Sequence, residues 1–212
     1  MGLPHLLDSF ACSPKWDAAG PRRYGVAIAS RFPLTCVPSR HPVPWAERLL
    51  SAAVATARGT IHLHTTHVPP GATNGWMKVQ ILEAIADVVS ESSDKPCTLC
   101  GDFNTPQFEM RDGRIVTWGE EIGKDGEPRL WKQWQNDTGR RWDAAERTVP
   151  QGGRHRRLSD AYRHLHSYER QEFSWFVKRK TKRIGRRFDH AFARPASRSI
   201  AASTSTACAK RG

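Results

Sequence analysis

The ten residues from Cys97 to Pro106 constrain the fold of this chain more than any other stretch. An amphipathic pattern from Trp76 to Val89 predicts a helix, and a short apolar strand then ends in Gly-Asp-Phe-Asn at positions 101–104. Asp102 and Asn104 lie two residues apart, and therefore on one face of that strand. The carboxylate can bind a hard cation or activate a nucleophile, and the amide can contact a phosphate oxygen or a water. Taken alone, the segment is more typical of an Asp-Asn turn after a buried strand.

The size and composition of the chain indicate one folded domain. With 212 residues and 38% hydrophobic content, it can bury a substantial core. No apolar run approaches about 18 residues, so no membrane-spanning helix is predicted, and the first residues lack the pattern of a secretory signal. The five cysteines are irregularly spaced, which is typical of a reducing compartment, and we therefore expect a cytoplasmic location.

The net charge of +12 is concentrated in the C-terminal third. Residues 1–150 contain 17 Lys and Arg against 17 Asp and Glu, whereas residues 151–212 contain 16 against 4. The densest basic run extends from Lys178 to Arg183. A basic surface of this kind favours a polyanionic partner such as nucleic acid, and a solvated hairpin loop is the alternative interpretation of the run.

Three regions are expected along the chain. Residues 1–20 are predicted to be irregular, residues 21–194 to form the domain, and residues 195–212, rich in Ala, Ser and Thr, to form a disordered tail. Inside the domain, periodicity and turn residues predict strands at Gly25–Ser30 (buried), Leu49–Ala57 and Thr60–Val68 (a hairpin), Glu172–Val177 and Arg187–Ala193, and helices at Trp142–Arg147 and Leu158–His166.

Three histidines near the end of the second hairpin strand are candidate metal ligands. His62, His64 and His67 have the His-x-His-x-x-His spacing of metallo-β-lactamase-type zinc hydrolases, although Thr66 stands where that pattern has an Asp. The competing hypothesis is that only His67, at the end of the strand, points into a site. His62 and His64 are then ordinary strand residues.

Further candidates lie in the loop after that hairpin and in the C-terminal strands. Asp189 can orient a catalytic His or bind a metal, and an edge-strand ion pair with Arg187 or its neighbour is the simpler alternative. Trp175, taken alone, is typical of a core aromatic. We predict Asn74, Trp175 and Arg187 as substrate-binding residues.

The order of these segments resembles the endonuclease/exonuclease/phosphatase superfamily, which includes exonuclease-III-type abasic endonucleases, pancreatic-type deoxyribonucleases and neutral sphingomyelinases. The motifs, by starting position, are Gly-Val-Ala-Ile-Ala-Ser-Arg at 25, Thr-His-Val-Pro-Pro-Gly at 66, Gly-Asp-Phe-Asn-Thr-Pro at 101, Ser-Asp-Ala-Tyr-Arg at 159, Phe-Ser-Trp at 173 and Arg-Phe-Asp-His-Ala-Phe-Ala at 187. The resemblance implies an α/β fold, a four-layered α/β/β/α sandwich of two packed mixed sheets. It also implies divalent-metal-dependent hydrolysis of a phosphoester, with Mg²⁺ or Mn²⁺ as cofactor.

The resemblance also implies roles for individual residues. Asp102 matches the acid that activates the attacking water, and Asn104 matches the amide that positions the water or the phosphate; both are the expected metal ligands. His67 matches the His that the deoxyribonuclease and sphingomyelinase branches use near the scissile phosphate. Asp189 matches the Asp that partners a catalytic His. We expect these four side chains to converge at one sheet edge.

Two departures from the family pattern bear on activity. The family's Gln-Glu metal-ligand motif is absent, since the first Glu of the chain is Glu47, and no His follows His190 where the family has Ser-Asp-His. We therefore expect a domain truncated at both ends, with a tail that comes from a frameshifted or a truncated reading frame, and a weak or inactive phosphodiesterase. A non-catalytic nucleic-acid-binding module of the same fold is the main alternative, and the zinc hydrolase is the other.

Overall fold

The computed structural model describes residues 2–13, 24–71, 75–91, 95–151 and 158–194. The predicted substrate-binding residue Asn74 and the predicted disordered tail at 195–212 lie outside the described residues. Within them, the strands are β1 (His5–Asp8), β2 (Ala27–Ser30), β3 (Thr35–Cys36), β4 (Leu49–Thr56), β5 (Gly59–His67), β6 (Cys97–Asp102), β7 (Phe108–Glu109), β8 (Ile115–Val116), β9 (Glu120–Ile122), β10 (Pro128–Leu130), β11 (Ser159–Asp160), β12 (Trp175–Arg179), β13 (Lys182–Arg186) and β14 (Asp189–Arg194). The α-helices are α1 (Ser9–Cys12), α2 (Trp76–Glu91), α3 (Asp137–Thr148) and α4 (Ala161–Leu165).

A six-stranded mixed sheet organises the fold, in the order β11-β14-β6-β5-β4-β3. Strands β4 and β5 form the predicted hairpin, β5 and β6 are parallel with α2 between them in sequence, and β14 is antiparallel to β6. The described residues also form four two-stranded sheets. The mixed α/β class is confirmed. The resemblance implies two large packed sheets, and the described residues form one large sheet, the six-stranded one.

Helix α2 covers one face of the sheet. Its buried residues recur at the three- and four-residue spacing of an amphipathic helix and pack on Leu99 of β6 and Phe192 of β14. Those two side chains are 0% and 1% exposed, so the helix and the two central strands share the core. The core therefore fixes β6 and β14 beside each other, which sets the positions of the polar residues at their ends. None of the helices in the described ranges is long and apolar enough to cross a membrane.

The N-terminal segment differs from its prediction. Residues 1–20 were expected to be irregular, but His5–Asp8 form a strand that pairs antiparallel with β2, and Asp8 caps helix α1 by accepting hydrogen bonds from the N–H groups of Phe10 and Ala11. The strand predicted as buried at Gly25–Ser30 is partly exposed, because β2 belongs to this two-stranded sheet and not to the large one.

A second difference concerns the helix predicted at Leu158–His166. The structure has the short strand β11 followed by the five-residue helix α4. The break occurs at Asp160, whose carboxylate accepts hydrogen bonds from the N–H groups of Tyr162 and Arg163 and so caps the helix there. The hydrophobic pattern gave no sign of this start, since a cap acts through one side chain.

Candidate active site

Three polar side chains form one row across the ends of β5, β6 and β14. His67 is paired with Asp102 in the parallel ladder, and Asp102 is paired with Asp189 in the antiparallel one. Residues directly opposite each other on adjacent strands point to the same face of a sheet, so the three side chains lie side by side. His67 Nε2 is 4.0 Å from Asp102 Oδ2, and the two side chains are 30% and 37% exposed. That distance exceeds a direct hydrogen bond and leaves room for one bridging oxygen.

Arg48 determines the hydrogen-bonding state of His67. Its Nη1 lies 3.2 Å from His67 Nδ1. Because a guanidinium only donates, Nδ1 must accept, and the ring hydrogen lies on Nε2, which faces Asp102. Burial and then the positive charge of Arg48 lower the pKa of His67 below its ordinary value. His67 is therefore a neutral hydrogen-bond donor towards the row near pH 7.

The Gly-Asp-Phe-Asn turn needs its glycine for a close approach between strands. Gly101 has φ +149°, and a Cβ at this position would lie 2.0 Å from the carbonyl oxygen of Thr66 in β5. After it, Asp102 Oδ1 accepts a hydrogen bond from the N–H of Asn104 at 2.9 Å, and Asn104 takes a left-handed φ of 50°, which Asn tolerates. Gly101 thus allows Asp102 to lie beside His67, and the Asp102 carboxylate stabilises the turn that follows by accepting the hydrogen bond from Asn104.

The acidity of Asp102 reflects its place in the row. Burial, followed by the neighbouring negative charge of Asp189, raises the pKa of Asp102, while the Asn104 N–H and His67 oppose the rise. The Asn104 side chain donates from Nδ2 to the carbonyl oxygen of Val68 at 2.8 Å. This bond fixes the orientation of the amide, so that the other end of the group is the oxygen, a hard metal ligand.

A buried ion pair holds the backbone of Asn104 in position. Lys78 of α2 donates from Nζ to the Asn104 carbonyl oxygen at 2.9 Å and forms a salt bridge with Glu146 of α3; both charged side chains are 0% exposed. The indole Nε1 of Trp118 donates to the same carbonyl at 2.9 Å. The backbone N–H of Trp118 donates to the Glu146 carboxylate at 2.7 Å. Burial lowers the pKa of Lys78 and Glu146 opposes that change. Two helices are thereby linked to the turn that carries Asp102.

Asp189 is anchored through the segment before β12. Ser174 Oγ accepts hydrogen bonds from the N–H groups of Phe188 and Asp189 at 3.0 and 3.1 Å. Trp175, predicted as a substrate-binding residue, stacks on Phe188 with ring centroids 5.7 Å apart and is 47% exposed. It is therefore a surface aromatic next to the row, unlike the core aromatic that the residue type alone suggested.

Arg187, also predicted to bind substrate, is held in a buried ion cluster. Its guanidinium donates to both carboxylate oxygens of Glu109 and to Asp160 Oδ2, and its side chain is 8% exposed. His190 Nδ1 lies 3.4 Å from the same Asp160 oxygen. The ion pairs raise the pKa of Arg187 against the effect of burial and lower that of Asp160. A guanidinium paired in this way serves the fold, so the substrate-binding prediction needs correction.

The three-histidine zinc hypothesis is wrong for a geometric reason. The burial of β5 alternates without a bulge, which places His62 and His64 on the buried face and His67 on the opposite face. Across the described ranges, no three His, Cys, Asp or Glu side chains are grouped so that they could hold one metal ion. Cys97 and Cys100 are likewise split, one buried and one exposed, on opposite faces of β6.

Sequence reasoning missed Arg48 and the Lys78–Glu146 pair. Lys78 left a readable signal, because it precedes Ile81, Leu82 and Ile85 by three, four and seven residues and so lies on the apolar stripe of α2. A charged residue on such a stripe needs a buried partner. Arg48 left no such signal, since its contact with His67 arises only when β4 and β5 pair.

The sequence matches a family model over nearly all of its length. The model for the Endonuclease/Exonuclease/phosphatase family matches residues 3–209. The chain belongs to this family. Enzymes of this family hydrolyse phosphoester bonds or act as nucleases, and they generally use divalent metals. Among curated proteins, none matches the sequence.

Three solved structures of low sequence identity match most of the chain, and one of them shows a similar fold. The crystal structure of a D. rerio TDP2 that was humanized by 14 mutations has a TM-score of 0.51 and 14% sequence identity to this chain. The match covers 91% of this chain and 61% of that one. A D. rerio TDP2 complexed with single strand DNA product gives 0.46 at 18% identity, over 77% and 54%. The endonuclease domain of TRAS1, a telomere-specific non-LTR retrotransposon, gives 0.41 at 16% identity, over 79% and 59%. The chain spans between half and two thirds of the length of these proteins.

Proposed function

We propose that this chain is a divalent-metal-dependent phosphodiester hydrolase of the endonuclease type. The observation that carries the proposal is the row of His67, Asp102 and Asp189, with 4.0 Å between His67 Nε2 and Asp102 Oδ2. A neutral donor, a carboxylate of raised pKa and a second carboxylate are thus side by side at an accessible sheet edge. A phosphate oxygen beside His67 can accept a hydrogen bond from Nε2, while Asp102 remains available to a water.

The donor set suits a hard divalent cation. Asp102 and Asp189 face each other across β6 and β14, and the negative charge of Asp189 contributes to the raised pKa of Asp102, a repulsion that a bound cation relieves. Mg²⁺ uses one or two carboxylates together with waters, so Asp102, Asn104 Oδ1 and Asp189 are the residues that would hold Mg²⁺ or Mn²⁺. When bound, the ion supplies positive charge to the phosphate oxygens.

The chain's own residues supply the remaining chemistry. Asp102 accepts the proton of a water that attacks phosphorus. The phosphorus–oxygen ester bond breaks, and the leaving oxygen keeps the electron pair and takes up a proton from solvent. His67 donates from Nε2 to a phosphate oxygen, and Arg48 keeps that hydrogen on Nε2. Lys78 and Trp118 hold Asn104 in place.

The test is cleavage of a chromogenic phosphodiester and of labelled DNA and RNA oligonucleotides, with EDTA and with Mg²⁺ or Mn²⁺ added back. Asp102→Asn should lower turnover by about 10²–10⁴-fold, because it removes the general base. Asp137→Asn is the matched control, since its carboxylate is 99% exposed at the start of α3. EDTA-resistant cleavage, or equal turnover by Asp102→Asn and the control, refutes the proposal.

A second candidate is a non-catalytic nucleic-acid-binding module of the same fold. The observation that favours it is the strongly basic, exposed β12–β13 hairpin, which needs no catalytic residue to bind a polyanion. The same assay separates the two, because a binding module retains labelled nucleic acid and releases no product in the presence of metal.

A further inference from the structure

Two cysteine side chains from separate segments meet at the edge of the large sheet. Cys12 is the last residue of α1, and Cys36 belongs to the edge strand β3, 24 residues later. The Cys36 thiol donates to the carbonyl oxygen of Cys12 at 3.9 Å. Both residues are partly exposed and line one cavity of about 210 Å³. A dissolved reagent can therefore reach both thiols in the folded chain.

The elements that carry these two thiols are both attached to β4 or to the residues that lead into it. Cys36 is paired with Ala52 of β4 in the antiparallel ladder. At the start of α1, the buried Ser9 donates from Oγ to the carbonyl oxygen of Glu47 at 2.6 Å and accepts from the N–H of Val26 at 3.0 Å. Glu47 lies in the short helical turn just before β4. Packing, and not closeness in sequence, therefore holds Cys12 beside Cys36.

The spacing in sequence favours a different pair of cysteines. Cys97 and Cys100 have the Cys-x-x-Cys spacing, but one is buried and the other exposed, on opposite faces of β6. Side chains on opposite faces of a strand point apart, and a disulfide between them requires backbone movement. Among the cysteines of the described ranges, the fold thus brings Cys12 and Cys36 together and keeps Cys97 and Cys100 apart.

We propose that Cys12 and Cys36 form a reversible disulfide that fastens α1 to the edge strand β3. The oxidant is a small disulfide such as glutathione disulfide. The Cys36 thiolate attacks one sulfur of the small disulfide, whose S–S bond breaks, and one small thiolate leaves. Cys12 then attacks the sulfur of Cys36 and releases the second small thiolate. The two protein thiols are oxidised, and the two small thiolates take up their protons. The disulfide does not depend on the proposed hydrolase activity.

The environment of Cys12 sets the order of these two attacks. Burial, followed by the hydrogen bond and the charge of the Cys36 thiol, raises the pKa of Cys12 to about 12. Cys12 is therefore protonated near neutral pH, and the first attack comes from Cys36. In the mixed disulfide Cys36 carries no charge, so its contribution to the raised pKa disappears. Cys12 can then lose its proton and act as the resolving thiol.

The experiment equilibrates the full reduced chain with glutathione and glutathione disulfide at a series of ratios, then quenches it with acid, alkylates the free thiols and maps the tryptic peptides by mass. Trypsin cleaves after Lys15 and Arg31, so Cys12 and Cys36 lie in separate peptides and their link is identified directly. The folded chain should form this link at a ratio of oxidised to reduced glutathione about 30- to 1,000-fold lower than the chain in urea. This factor equals the stabilisation that a disulfide typically gives a fold, since the two effects are linked.

Three variants separate the roles of the cysteines. Cys12→Ser should accumulate glutathione on Cys36, because no resolving thiol remains, whereas Cys36→Ser should leave Cys12 largely unmodified. Cys100→Ser is the matched control, since Cys100 is an exposed cysteine on another strand, and it should leave the link unchanged. The oxidised parent should also unfold at a temperature about 5–15 °C higher than the reduced parent, and added reductant should reverse the shift.

The peptide map and the unfolding temperature decide between the outcomes. A Cys12–Cys36 link that forms selectively in the folded chain, persists in Cys100→Ser and raises the unfolding temperature supports the proposal. Links that involve Cys97, Cys100 or Cys208 to a similar extent overturn it, as does the same requirement for oxidant in folded and unfolded chains. A link that leaves the unfolding temperature unchanged overturns the claim that the disulfide fastens α1 to the sheet.

Discussion

Removing one charge of the Lys78–Glu146 pair should be far more damaging than removing both. Both side chains are 0% exposed, and the ammonium also donates to the Asn104 carbonyl. Glu146→Gln keeps an acceptor for the Trp118 N–H but leaves a buried ammonium without its counter-charge. Breaking such a pair typically costs about 3–5 kcal/mol of unfolding free energy, a large share of the roughly 5–15 kcal/mol available to a domain.

The double variant, Lys78→Met with Glu146→Gln, removes the uncompensated charge. Its unfolding free energy should lie within about 2 kcal/mol of the parent, because Trp118 still donates to the Asn104 carbonyl and what is lost is mainly one buried hydrogen bond to it. The coupling energy between the two sites should therefore exceed about 3 kcal/mol, at the upper end for residues in contact.

Urea denaturation of the parent, both single variants and the double variant measures this coupling. Glu83→Gln is the matched control, since Glu83 pairs with Arg141 and also joins α2 to α3, but at the surface. Its cost should stay below about 1 kcal/mol. A cost below about 1 kcal/mol for Glu146→Gln, or a double variant as unstable as the worse single one, refutes the reasoning that the pair is a buried charge pair.

Two further predictions concern stability. Gly101→Ala should lower the unfolding free energy, measured in urea, by at least about 2 kcal/mol, because the new Cβ would lie 2.0 Å from the Thr66 carbonyl oxygen. Gly59→Ala is the control: φ is also positive there, but nothing lies within 4 Å of the new Cβ, so the cost should be smaller. Equal costs for the two variants refute the close-approach argument. Asp160 and Glu109 have pKa values lowered by their Arg and His partners, so the stability they contribute is complete above the ordinary carboxyl pKa of about 4 and is lost as the pH falls through the lowered values. Arg187→Met should flatten this acid dependence in a series of urea titrations from pH 6 to about pH 2.5, and an unchanged slope contradicts the assignment.

Local sequence patterns predicted most of the central fold. The β4–β5 hairpin, helix α2 and the strand ending in Gly-Asp-Phe-Asn all occur where hydrophobic period and turn residues placed them. These signals are reliable because they depend on residues a few positions apart. The strand predicted as buried at Gly25–Ser30 failed for the opposite reason, since burial depends on which partner the strand finds.

The sequence alone also named the residues of the row, because the order of motifs carried the family resemblance. Only the tertiary structure decided which side chains act beside them. Arg48 contacts His67 through the pairing of β4 with β5, and Lys78 reaches Asn104 because α2 packs against the sheet. The same long-range packing took Arg187 into a cluster with Glu109, 78 residues away in sequence. Contacts of this kind join residues that are far apart in sequence and leave no local pattern. They form only when the strands and helices pack, so only the tertiary structure reveals them.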